Sequence, residues 1–148
     1  MRVVVISGFF NPLHIGHIDY ISAARNLGDF LIVVVNSDKQ VETKGSVPFM
    51  DQDERLSIIS NIKGVDRAVI SIDDDGSVCE TLRAEFNRLQ NDPFFDEMIF
   101  ANGGDRKEGG VPEDILTDEL GIRMAYNVGG EKTQSSSSLI ENSKILQK

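Results

Sequence analysis

The chain has 148 residues, 40% of them apolar, with 24 acidic against 15 basic side chains and a formal net charge of −9. That length supports one hydrophobic core and is short for two, so a single domain over residues 1–148 is expected. The acidic balance argues against nucleic acid or an anionic membrane surface as partner, since both demand clustered Lys and Arg, and no run approaches the roughly 18 apolar residues that span a bilayer.

The opening Met1 to Ile6 runs straight into Gly8, without the longer apolar region and small-residue cleavage site of a secretory signal, so a soluble cytoplasmic protein is expected. Apolar, β-branched runs recur at Val3 to Ile6, Leu31 to Val35, Ala68 to Ile72, Glu97 to Ala101 and Ile122 to Tyr126. Helical patterns lie between them, which is the signature of βαβ units and a five-stranded parallel sheet with helices on both faces. The first helix carries Ile18, Ile21, Ala24 and Arg25 on one period and stops at Leu27-Gly28. The next starts near Asp51, with Asp51 and Glu54 at capping-box spacing, and buries Leu56, Ile59 and Ile62. Asp73-Asp74-Asp75-Gly76-Ser77 has metal-ligand residue types but reads better as a turn and helix cap. A third helix presents Val78, Leu82, Phe86 and Leu89 on one face, and a last one is expected from about Ser137 to Leu146. The lone Cys79 has no partner for a disulfide or a zinc site and is expected to be a half-buried small residue.

Three segments are rich in glycine or small residues: 8–16, 102–110 and 129–138. Each follows the C-terminal end of a predicted strand, and ligands of open parallel sheets bind in the crevice outside those ends. The only two histidines, His14 and His17, lie in the first of them. If a helix starts there, residues three apart share a face and both imidazoles can point at one ligand. Gly16 between them removes a side chain that would block the backbone, and the helix start favours an anion. Gly8, Phe9 and Phe10 complete a polyphosphate pocket, with the two rings placed either to exclude water or to pack in the core. An adjacent triphosphate would favour the doubly donating imidazolium.

The segment Gly8-Phe9-Phe10-Asn11-Pro12-Leu13-His14-Ile15-Gly16-His17 resembles the H-x-G-H signature of the cytidylyltransferase-like nucleotidyltransferases. That family has a Rossmann-like fold and includes glycerol-3-phosphate cytidylyltransferase, the heptose-phosphate adenylyltransferase domain and archaeal-type FAD synthetase. Asn102-Gly103-Gly104-Asp105-Arg106 is similar to its nucleotide-contacting Gly-Asp segment, and Ser135-Ser136-Ser137-Ser138-Leu139-Ile140 to its closing Ile-Ser-Thr-Thr motif. The resemblance implies that Asn102, Gly104, Asp105, Arg106, Ser137 and Ser138 bind the nucleotide, while Lys44 and Arg55 meet the acceptor's phosphate. Turn, capping or plain surface roles remain the competing readings for Asp105, Arg106, the serines and Lys44. Lys132 stands where cytidylyltransferases carry an arginine, supplying a point charge without the planar fork, and Gly129-Gly130-Glu131-Lys132 looks closer to the heptose-phosphate type.

The reaction so implied is transfer of a nucleoside monophosphate from CTP or ATP to a small phosphorylated alcohol or sugar, with release of pyrophosphate. Magnesium would be held mostly by substrate and water, without protein ligands. The partners are then a nucleoside triphosphate and a phosphorylated acceptor, and the commonly dimeric relatives leave a homodimer open. A non-catalytic nucleotide-binding sensor or assembly module on the same fold is the alternative.

Overall fold

The computed structural model describes residues 1–103 and 111–129. Five strands, β1 (Arg2–Gly8), β2 (Phe30–Val35), β3 (Arg67–Ile70), β4 (Glu97–Gly103) and β5 (Arg123–Val128), form one sheet. Their order is β3-β2-β1-β4-β5 and every pairing is parallel. Each overlaps one of the five expected runs.

The near-continuous apolar character of β1 and β2 has its reason in burial on both faces, as parallel strands require. Val3 and Val5 of β1 and Ile32 and Val34 of β2 face one core, which is closed by Leu82 of α4 (Cys79–Leu89) and Leu116 of α5 (Asp114–Leu120). Val4, Ile6, Leu31, Val33 and Val35 face the other, against Ile21 and Ala24 of α1 (Ile15–Arg25) and Ile59 of α3 (Gln52–Ser60). Each fully buried aliphatic chain contributes about 1.5–3 kcal/mol, so the two layers fix the sheet between helices as expected.

Local signals explain most helix ends. The Asp51 side chain accepts the Glu54 N–H at 2.8 Å and starts α3 where its spacing predicts. Asp73 accepts from the backbone N–H groups of Glu80 at 2.8 Å and Thr81 at 3.0 Å, so the aspartate run is a turn and cap for α4. Gly28 ends the first helical stretch for a different reason than expected: α1 is capped by Asn26, and a Cβ at Gly28 would fall 2.7 Å from the Arg2 carbonyl oxygen. Ile62 packs on the core from beyond the end of α3.

Two short helices were not singled out from the sequence: α5 and α2 (Asp38–Thr43). The start of α2 is a capping box in which Ser37 Oγ accepts the Gln40 N–H and Gln40 Oε1 accepts the Ser37 N–H. The Ser-x-x-Gln pattern carried that signal. Gln40 is fully buried and also donates to the carbonyls of Asp75 and Ser77, fastening the start of α2 to the turn before α4. The expected helix at 137–146 lies outside the described residues. Among the described residues no helix is long and apolar enough to cross a membrane.

β1 is flanked by β2 on one side and β4 on the other. The chain order reverses between β1 and β4, so their following loops diverge and leave a crevice at their C-terminal ends. The histidines follow β1 into that crevice.

Candidate active site

Gly8 ends β1, and the next residues fold back over it. A Cβ on Gly8 would lie 2.7 Å from Phe10 Cζ, so the glycine makes room for the Phe10 ring. Phe10 is 1% exposed and holds a left-handed backbone, φ 49°, a conformation costly for a bulky side chain. Burial of its ring offsets that cost and fixes the loop. The ring then meets His17 edge to face at a centroid distance of 4.9 Å. Substituting Gly8 with alanine is expected to cost about 1–3 kcal/mol by overpacking and to lower turnover by shifting Phe10 against His17. Thermal melts and steady-state rates on the same sample check it.

His14 is the N-cap residue of α1, with extended backbone at φ −149°, and His17 lies in its first turn. Gly16 N–H donates to His14 Nδ1 at 3.1 Å, and His14 N–H donates to His17 Nδ1 at 3.1 Å. The two histidines thereby build a reciprocal cap from their own Nδ1 atoms. An Nδ1 that accepts carries no proton, so each neutral ring bears its proton on Nε2. The rings stack at a centroid distance of 3.9 Å with an interplanar angle of 31°, so both present donors of the same kind from one helix end. The amide of Gly16, expected to serve a ligand, is used by the cap instead, as is His17 N–H, which donates to the His14 carbonyl at 3.0 Å.

On the same helix, Tyr20 O–H donates to the Ala101 carbonyl of β4 at 2.5 Å. Its ring lies so close to Gly103 that a Cβ there would be 3.1 Å from Tyr20 Cε1, and Gly129 faces its Cα at the same distance. The glycines let the front of α1 sit against the ends of β4 and β5. Tyr20 was not anticipated; its place three residues after His17 was the available hint. Asn102, expected to bind nucleotide, is 2% exposed and turns its Nδ2 toward the Ala125 carbonyl of β5 at 3.4 Å. Its amide therefore bridges two strands.

Arg55, expected to meet an acceptor phosphate, is instead fully buried. Its Nη1 donates to the carbonyls of Phe9 at 2.8 Å and Asn36 at 2.6 Å, its Nε to Met50 at 2.9 Å, and its Nη2 to Asp38 Oδ1 at 2.7 Å. One guanidinium thus ties together the loop after β1, the end of β2, the start of α2 and the approach to α3. Its physical reason is position: Arg55 and Ile59 are four apart and share the inward face of α3. Asn11 adds a second tether, donating to the Val47 carbonyl at 2.9 Å and accepting from Phe49 N–H at 2.5 Å and Met50 N–H at 3.2 Å. Lys44, at the end of α2, is exposed and sets its Nζ 4.1 Å from the centroid of the Phe9 ring. The structure therefore brings His14, His17, Phe10 and Gly8 together, and Lys44 to Phe9. Gly104, Asp105, Arg106, Lys132, Ser137 and Ser138 lie outside the described residues.

Burial holds the half-buried Cys79 thiol above the usual cysteine range, against the opposing pull of a hydrogen bond from Ser77, so it is a poor nucleophile near neutral pH. Among the described residues no group of three or more His, Cys, Asp or Glu side chains is arranged to hold a metal ion. The chemistry offered is that of two aligned neutral donors at a helix start, suited to an anionic, tetrahedral group.

A family model described as cytidylyltransferase-like matches residues 5–108, well over half of the chain. The FAD synthase of Thermoplasma acidophilum is 42% identical over 72 residues, which are 49% of this chain and 51% of that relative. The chain therefore spans about half the length of this relative. The bifunctional protein HldE of Shewanella sediminis is 35% identical over 146 residues, 95% of this chain and 27% of the relative. In the crystal structure of a lipopolysaccharide core biosynthesis protein from Thermoplasma volcanium, 95% of that chain superposes on 85% of this one with a TM-score of 0.65 and 28% identity. The matched segment begins inside β1 and takes in the histidine cap, both tethers and β4, and on that ground the chain belongs to the cytidylyltransferase-like family.

Proposed function

We propose that this protein is a nucleotidyltransferase that moves a nucleoside monophosphate from a nucleoside triphosphate to a phosphorylated acceptor and releases pyrophosphate. The observation that carries the reading is the reciprocal cap, which stacks two imidazole rings at the start of α1, beside the β1/β4 crevice, with both Nδ1 atoms accepting from the backbone. An oxygen of the acceptor's phosphate forms the new bond to the α-phosphorus, and the bond from that phosphorus to the oxygen bridging to the β-phosphate breaks. The attacking oxygen is already ionised, so alignment and stabilisation of developing charge are the main demands. His14 and His17 donate from Nε2 to the phosphate oxygens on which that charge grows, each worth roughly a hundredfold or more in rate, as for an oxyanion donor. Magnesium carried by the triphosphate would supply neutralisation of its phosphate charge, without ligands from the protein.

Lys132, Ser137 and Ser138 are assigned to the triphosphate, and Gly104, Asp105 and Arg106 to the nucleoside end. Lys44 takes the acceptor's phosphate, while Arg55 holds the loops around it. ATP is favoured over CTP as the nucleotide, because an enzyme named for making flavin adenine dinucleotide must install an adenylyl group, and the chain lacks the arginine of the cytidine-specific type. We assign the reaction to the cytoplasm, where nucleoside triphosphates are supplied.

Thermal melts with ATP, CTP, GTP or UTP plus magnesium, followed by pyrophosphate assays over a panel of acceptor phosphates, test this. ATP at about a hundred times its Kd is expected to stabilise the fold by about 2.7 kcal/mol, and one acceptor class is expected to release pyrophosphate. Binding without product across the panel would make the protein a nucleotide-binding module and overturn the reading.

A further inference from the structure

We propose that Tyr20 is a positioning residue for nucleotidyl transfer, setting the spacing between the histidine pair and the ends of β4 and β5, from which the chain continues into the segments assigned to the nucleotide. The inference rests on the nucleotidyl-transfer reading, which gives Gly104, Asp105 and Arg106 to the nucleoside end and Lys132, Ser137 and Ser138 to the triphosphate.

β4 and β5 do not pair evenly at their C-terminal ends. Ala101 pairs with Ala125 and Gly103 with Val128, so two steps along β4 oppose three along β5. The extra residue makes a bulge in β5, where Asn127 takes a left-handed backbone at φ 54° and Gly129 follows at φ 87°. A bulge bends its strand and re-aims what comes after it. What comes after, in sequence, is 130–138 on β5 and 104–110 on β4. Two side chains hold the irregular stretch. Asn102 Nδ2 donates to the Ala125 carbonyl at 3.4 Å and stitches strand to strand, whereas Tyr20 O–H donates to the Ala101 carbonyl at 2.5 Å and comes from α1.

The helix that carries His14 and His17 is therefore fastened to the bulge by a residue three positions after His17, on the same side of α1. Gly103 and Gly129 meet Tyr20 at two different places. A Cβ on Gly103 would stand 3.1 Å from its ring Cε1, and one on Gly129 would stand 3.1 Å from its Cα, so a side chain at either position would press α1 away from the strand ends. Packing alone would be served by phenylalanine. The hydroxyl adds a directional bond to one carbonyl, which sets where the helix front stands along β4 as well as how close. Transfer depends on that placement, since a misalignment of about 1 Å costs on the order of a hundredfold in rate.

The test is Tyr20→Phe in the full chain, which keeps the ring and removes the one directional bond. With ATP, magnesium and the acceptor that the parent uses, kcat is expected to fall about tenfold. KM for the acceptor, whose assigned contact is Lys44, is expected to stay within about twofold, and the melting temperature within about 5 °C of the parent. A parent-like kcat overturns the proposal. So does a larger fall in melting temperature, or a rise in acceptor KM that matches the loss of kcat, because either would make Tyr20 a support of the fold alone. Calorimetry with ATP and magnesium separates this outcome from the fate of the transfer reading. If the parent binds ATP and releases no pyrophosphate with any acceptor, the transfer reading fails and Tyr20 is judged on affinity: a loss of about fivefold in Tyr20→Phe upholds its positioning of the nucleotide site, and an unchanged affinity ends it. A parent that binds no nucleotide defeats both.

Discussion

Replacing His17 with alanine is expected to lower turnover a hundredfold or more while costing only about 1 kcal/mol of stability. The two effects have different atoms behind them. Nδ1 of His17 accepts one backbone N–H at the helix start, a contact of the ordinary capping size. Nε2 is the donor assigned to the phosphate, and losing a preorganised donor costs roughly 10²–10³ in rate. The same division permits a sharper variant at the neighbouring ring. In His14→Asn the amide oxygen can replace Nδ1 as acceptor for Gly16 N–H, but no donor reaches the position of Nε2. That variant should melt within a few degrees of the parent and still lose about two decades of pyrophosphate release. Parent-like rates in either variant would remove the imidazoles from the mechanism.

The largest loss of stability is expected at Arg55. Arg55→Leu removes a fully buried guanidinium and leaves the carbonyls of Phe9, Asn36 and Met50 and the partly exposed Asp38 carboxylate without that donor. Breaking a buried, paired charge from one side costs about 3–5 kcal/mol, or on the order of 10 °C in melting temperature for a chain of this length. Arg55→Lys keeps the charge but replaces a planar fork by a single ammonium. It should recover less than half of that loss. Both variants should also raise KM for the acceptor, since the loops around Lys44 and Phe9 lose their common tie. Denaturant titration and acceptor kinetics on the same preparations separate the two effects, and a melting point within about 2 °C of the parent in Arg55→Leu would show that the tie is dispensable.

Patterns with a fixed period were legible before the fold was known. Five β-branched runs became five parallel strands, and Asp51 and Asp73 cap the helices that their turn chemistry suggested. The histidine pair was legible for a related reason: a spacing of three at a helix start is a local fact. What escaped depends on partners distant in sequence. Nothing in the segment around Asn11 marks it as a tether, and its three bonds to residues 47–50 follow only once β2 and α2 are in place. Arg55 looked like a phosphate ligand because it resembles an arginine that the family carries after an acidic pair early in that helix. Its four-residue spacing from Ile59 pointed inward, but spacing alone does not say what acceptors wait there. The protonation pattern of the histidines likewise needed the backbone N–H groups that occupy both Nδ1 atoms.

The position of β1 has a consequence for how the protein is made. Arg2 pairs with Glu97, and the second flank of that strand remains open until β4 is available. Nearly a hundred residues must therefore follow β1 before the crevice has both its walls, and loop closure over that distance is slow. The nascent chain carries an unpaired apolar edge throughout this interval, and the net charge of −9 acts against association of unfinished chains.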